Sequence, residues 1–488
     1  MLRSLVVVVL LTLVSGDARA QLRPRWETAK TPDGLASQQL IAADPRLTQI
    51  VTFANLTYRF PRALPLNYRE AGKVNAWYNG ATHEITVSYD LVTYLRKFYR
   101  SKNVPQPDQA TRDTLVFILL HELGHAIIHE LDLPTVGREE TAADEFATLA
   151  SAQALGDGGR QTALVAANWF KLMGNSQVQL EELAFWDEHA LDSQRFYNIL
   201  ALLYAADPQT TSAIVTPLVP YTRLRTATER YPQRAANWKR LLSPYTAGTT
   251  ALPLNPVLPD PKEPRQVHFQ TDDTAGVLLP VSQLRRVQTF QSVTAWLNLK
   301  FSPPKHLYAR YINTDVPVNM FLPMTGQLIL SKPFFASAEQ KLSALSVPEK
   351  IETLTALETF SLLFEFSRGM ISDAELPITG EPEEAAAELA MMLILDNPQY
   401  RKLAVPMSRW YQALSKESVN VLQLKYWSES ALSQQRYYDL LGYLYIADPA
   451  SYPAAKTMFD DRRLRKLEYE YHQKRRNWAR LLQPFATL

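Results

Sequence analysis

The chain has 488 residues, of which 46% are hydrophobic and 20% charged, a composition that suits a soluble globular protein with more than one core. Its 51 basic and 49 acidic residues leave a formal net charge of +2, so there is no field of one sign to hold nucleic acid. Cysteine is absent, which excludes disulfides and thiolate ligands and restricts any transition-metal site to histidine and carboxylate.

The first twenty residues read as a secretory signal peptide: a basic start at Arg3, an apolar run from Leu5 to Val14, and Ala18-Arg19-Ala20 as a small-x-small site cleaved after Ala20. The apolar run is shorter than the ~20 residues that span a bilayer. The expected location is therefore periplasmic or secreted, with no membrane span left after cleavage. Further on, Val74 to Tyr78, Asn79-Gly80 and Glu84 to Tyr89 alternate around a turn signal and predict a hairpin. The strand Glu84–Tyr89 is the expected edge on which an extended peptide could pair.

From Asp113 the apolar spacing becomes helical, through Leu115, Ile118 and Leu119 to Ile128. This helix carries His121-Glu122-Leu123-Gly124-His125. Histidines four apart share one helix face and can bind one zinc ion, with Glu122 beside them as general base. Pro134 and Gly137 end the helix, and Glu139 to Leu149 predicts a second one. Glu140 is expected to supply the third ligand, and Asp144, one turn on, to accept a ring N–H from a ligating histidine. The rivals are weaker. Three ligands along one straight helix cannot converge, which disfavours His129; Glu139 should face elsewhere if Glu140 faces the metal; and Leu131 stands where a metzincin has its third histidine. His189, within Trp186-Asp187-Glu188-His189, is the candidate donor to the oxyanion of the tetrahedral intermediate.

The pattern His121-Glu-x-x-His125 followed by Glu140-x-x-Ala143-Asp144 resembles the gluzincin branch of zinc metallopeptidases. More closely, HELGHAIIHELDLPTVGREETAAD (121–144) and FWDEHALDSQRFYN (185–198) resemble a bacterial metallopeptidase family still labelled a domain of unknown function. The resemblance spans most of residues 50–245. It implies zinc ligation by His121, His125 and Glu140, general base work by Glu122, and a peptide or protein substrate. It also implies cysteines near Ser88 and Ala201, which this chain lacks.

Self-comparison shows a duplication. Leu133-Pro134, Gly137 and Glu140 recur as Leu376-Pro377, Gly380 and Glu383; Gln194-Arg195-Phe196-Tyr197 as Gln435-Arg436-Tyr437-Tyr438; and Asn237-Trp238 as Asn477-Trp478, at offsets of 240 to 243. One repeat is placed at 21–247 and the other at 265–488, joined by a proline-rich linker at 248–264. The fold expected is α+β: a mostly helical, zincin-like domain with a small N-terminal sheet, duplicated in tandem.

In this register Phe364 replaces His121, Arg368 replaces His125 and Ala387 replaces Asp144, while Glu365 and Glu383 remain. The second repeat is thus a degenerate, metal-free copy. Asp187 and His189 become Ser428 and Ser430, so they are assigned to the metal site, whereas Arg195, Tyr197 and the tryptophans, kept in both repeats, are assigned to the scaffold. The function expected is an exported zinc metallopeptidase. The alternatives are a non-catalytic metal-binding or interaction protein of the cell envelope, or a zinc hydrolase of a non-protein amide.

Overall fold

A computed structural model describes residues 21–174, 191–260, 262–272, 280–415, 424 and 432–487. The signal-peptide expectation, Asp187 and His189 all lie outside the described residues.

The first repeat runs β1 (Leu22–Trp26), α1 (Pro32–Ala42), α2 (Pro45–Thr57), β2 (Leu64–Arg69), β3 (Ala76–Asn79), β4 (Glu84–Ser88), α3 (Tyr89–Ser101), α4 (Pro107–Glu130), α5 (Glu139–Leu155), α6 (Asp157–Gly174), α7 (Asp192–Ala206), α8 (Pro208–Val215) and α9 (Tyr221–Leu242). The second repeats the plan: β5 (Val267–Thr271), α10 (Val281–Lys300), β6 (Leu307–Ile312), β7 (Met320–Leu322), β8 (Gln327–Ser331), α11 (Lys332–Lys341), α12 (Val347–Asp373), α13 (Pro382–Asp396), α14 (Pro398–Arg401), α15 (Ala404–Ser415), α16 (Ser433–Ala447) and α17 (Asp461–Leu482). The fold is α+β, mostly helical and duplicated, and none of the described helices is long and apolar enough to cross a membrane.

Each repeat holds one four-stranded sheet, ordered β1-β2-β4-β3 and β5-β6-β8-β7. Only the last pair in each is antiparallel. The expected hairpin therefore exists as β3 and β4, but β4 lies inside the sheet, between β2 and β3. Of the two hairpin strands it is β3 that lies at a sheet edge. The expectation of an edge at Glu84–Tyr89 fails because β2, some twenty residues upstream, takes that side of β4 in parallel pairing, a long-range contact that alternation in sequence does not encode.

Helix α4 is the spine of the first repeat, packed against β3, α5 and α6. Its 24 residues, opened by Pro107, are buried on nearly every face from Leu115 to Ile128. It stops where Asp132 adopts a left-handed conformation (φ 46°) and Leu133 N–H reaches back to Ile128 O at 2.9 Å. Helix α5 then crosses α4 at Gly124. A Cβ there would lie 3.2 Å from both Ala143 Cα and Phe146 Cδ1, so glycine is what lets the two helices approach closely enough for their polar side chains to meet.

Equivalent residues of the two repeats make reciprocal contacts. Asn237 Nδ2 donates to Ile378 O at 2.7 Å, and Asn477 Nδ2 to Thr135 O at 2.7 Å. Arg240 bonds to Glu375 O, as Arg480 does to Asp132 O. The buried amides of Gln194 and Gln435, which occupy the same position in the duplication, bond to each other at 3.0 and 3.4 Å. Contacts of this kind follow an approximate two-fold axis. They place α9 over the loop before α13, and α17 over the loop before α5.

Candidate metal centre

Helix spacing on α4 puts His121, Glu122 and His125 at the floor of a cleft of about 820 Å³. All three are buried, as are Glu140 and Asp144 on α5. The two Nε2 atoms lie 3.2 Å apart, and Glu140 Oε2 lies 3.2 Å from that of His121 and 3.4 Å from that of His125. Two imidazole nitrogens and a carboxylate oxygen therefore converge on one point.

The opposite ring atoms are held by carboxylates. His121 Nδ1 donates to Asp144 Oδ1 at 2.9 Å, and His125 Nδ1 donates to Glu139 Oε1 at 2.7 Å. With both Nδ1 atoms acting as donors, the neutral rings direct lone pairs at each other and at Glu140, an arrangement that repels unless a cation sits between them. The titration behaviour agrees. Burial opposes charge on both rings, yet Asp144 and Glu140 raise His121 above its ordinary value, and Glu140 with Glu139 raises His125 well above it. A centre that stabilises positive charge against burial, with N, N and O donors, fits a divalent transition metal.

Two assignments from sequence change here. Glu139 does not face away. It opens α5 at the first helical position, where its long side chain reaches both His125 Nδ1 and, at 2.8 Å, His129 Nε2; burial would raise it, but His129 and His125 hold it well below the usual carboxylate range. Arg138 before it is extended, so the side chain of this first residue is not bound to the face that helical spacing alone would give it. Nor is Arg195 only scaffold. Its guanidinium clamps Asp144 with Nε at 2.8 Å and Nη2 at 2.7 Å, so it fixes the acceptor that fixes His121. Conservation between the repeats misled because Arg436 persists where Asp144 has become Ala387.

Glu122 faces the same cleft, with Oε2 accepting the Tyr78 N–H of the edge strand β3 at 2.8 Å. His129 lies off the convergence point. Besides Glu139 it meets Tyr469 of the second repeat, whose hydroxyl is 2.9 Å from His129 Nδ1. Together with His125 and Glu139 it forms a second group of metal-capable side chains, but the N···O separations are those of ordinary hydrogen bonds.

The sequence matches the family described as "putative metallopeptidase" over residues 26–242 and again over 278–482. The chain belongs to this family. No curated protein and no solved structure matches it. The two family matches cover both repeats, yet in the second half of this metallopeptidase-family chain Phe364 and Arg368 hold the positions of His121 and His125. Where the first repeat has its histidines, Arg368 bonds Glu365 at 3.1 Å and lies 3.4 Å from Glu383. Arg230 from α9 adds a second guanidinium 3.2 Å from Glu383. Two guanidinium groups thus stand beside the Glu383 carboxylate, and their charge would oppose a cation there.

Proposed function

We propose that this chain is an exported zinc-dependent peptidase whose single working centre lies in the first repeat. The convergence of His121 Nε2, His125 Nε2 and a Glu140 carboxylate oxygen carries the reading, with Glu122 beside them in an open cleft. The donor set favours zinc: three nitrogen and oxygen ligands with a side open to solvent are the usual catalytic arrangement. When bound, the ion supplies Lewis-acid polarisation of the scissile carbonyl and acidifies water.

The chain's own residues do the rest. Asp144 and Glu139 lock the two rings in the tautomer that turns Nε2 to the centre. Glu122, oriented by the Tyr78 amide, takes a proton from the attacking water and hands it to the leaving amine nitrogen. The outer edge of β3, rather than β4, is the place for an extended peptide to pair through its backbone. His189 is the proposed oxyanion donor, and Asp187, two residues before it in the sequence, is assigned to the same site. The reading of residues 1–20 as a signal peptide places the enzyme in the periplasm or outside the cell.

The test is hydrolysis of denatured casein or a peptide library by the mature chain. Activity should be lost on chelation and return with zinc, and Glu122→Gln should bind zinc normally yet turn over at least about 100-fold more slowly. Full turnover by the Glu122→Gln variant, or turnover indifferent to chelation, would refute it.

A further inference from the structure

The second repeat has lost its own donors, but it does not stand apart from the first repeat's cleft. Three residues of α17, Arg462, Lys466 and Tyr469, line that cleft together with Trp77 and Tyr78 of the edge strand. Tyr469 goes further. Its hydroxyl lies 2.9 Å from His129 Nδ1, and its ring packs on the His129 ring with centroids 5.8 Å apart. His129 Nε2 donates to the same Glu139 oxygen that receives the His125 Nδ1 proton. With Nε2 as donor, neutral His129 presents an acceptor at Nδ1, which the Tyr469 hydroxyl satisfies. Tyr78 also stacks on the His129 ring, with centroids 5.5 Å apart, so the ring contacts one aromatic from each repeat.

We infer that the metal centre is completed across the repeat boundary: Tyr469 is a positioning residue that, through His129 and Glu139, fixes the ring of the ligand His125. The inference rests on the zinc-site reading above. It also gives the degenerate repeat a reason to persist, since its last helix is anchored to the loop between α4 and α5 by Asn477 to Thr135 O and Arg480 to Asp132 O, which sets where Tyr469 stands. The chain Tyr469–His129–Glu139–His125 is continuous in hydrogen bonds, so a change at one end alters the orientation and basicity of the ligand at the other.

Tyr469→Phe in the full chain is the test, because Tyr469 is 48% exposed and losing one hydroxyl should leave the thermal midpoint within about 2 °C. Direct loss of a ligand's hydrogen-bond partner weakens metal affinity about 10–100-fold; two steps further out, a zinc Kd about three- to tenfold weaker is expected, with a shift in the visible absorption of the cobalt-substituted protein. In a His129→Gln background the same substitution should add almost nothing, since the link is already cut. Arg230→Gln, on the equivalent helix facing the metal-free repeat, should leave zinc affinity unchanged. If Tyr469→Phe binds zinc as the unaltered chain does, if its effect adds fully to that of His129→Gln, or if Arg230→Gln weakens zinc equally, the inference is overturned while the zinc-site reading survives. Failure of the unaltered chain to bind zinc at all overturns both.

Discussion

Asp144→Asn isolates the electrostatics of the centre from its shape. The Asp144 carboxylate accepts three hydrogen bonds, from His121 Nδ1 at 2.9 Å and from Arg195 at 2.8 and 2.7 Å. Burial alone would raise it, but Arg195 and His121 hold it far below the ordinary carboxylate range. An asparagine of the same size offers one acceptor oxygen where there were two, turns an NH2 toward a donor, and leaves the partly buried Arg195 guanidinium without its counter-charge. Breaking one side of a buried ion pair costs about 3–5 kcal/mol of stability, and removing the partner of a ligating ring weakens metal binding about 10–100-fold. Two measurements separate these effects. Urea unfolding of the metal-free protein should show the stability loss, and chelator competition should show the weaker zinc Kd. Zinc affinity unchanged within about twofold, alongside the stability loss, would mean that Asp144 serves only the fold.

Three further outcomes follow. Glu140→Ala should weaken zinc more than Glu139→Gln, because one removes a donor and the other only the acceptor for His125 and His129; the reverse order in chelator competition would reassign the third ligand. Glu365, in the second repeat, is raised to about 7 by burial, with Arg368 opposing and Glu383 adding. The native state thus holds this proton more tightly than the unfolded chain, so the associated stability is full below the ordinary glutamate pKa and is lost as pH rises through about 7. Glu365→Gln should accordingly shrink the drop in urea midpoint between pH 5 and pH 8; an unchanged drop would place the titration elsewhere, for instance at Glu145 or Glu384, which burial also raises to about 7. Gly124→Val should separate α4 from α5, since even a Cβ meets Ala143 and Phe146 at 3.2 Å, and it should lower thermal stability and zinc affinity together; loss of neither would show that the helices can yield.

The parts of this protein governed by local periodicity were legible in its sequence. His121 and His125 share a face because 3.6 residues make a turn, and Glu140 lies near them because α5 follows α4 after a short loop ended by Gly137 (φ 78°). What the sequence hid was non-local or terminal. Strand β2 pairs with β4 some twenty residues away, which leaves β3 rather than β4 at a sheet edge. Glu139 stands where a helix begins and its side chain is not confined to one face. Arg195 looked like scaffold because its partner, not the arginine, differs between repeats. Tyr469 sits 340 residues from His129, and no pattern within either repeat marks it as belonging to the centre of the other.

Metal stoichiometry decides most directly whether the chain holds one centre. Zinc measured on the purified mature chain, then on His125→Ala and on Arg368→Ala, should give one ion per chain, none tightly held after loss of His125, and still one after loss of Arg368. Two ions on the unaltered chain, or one that persists without His125, would contradict a single centre built by His121, His125 and Glu140.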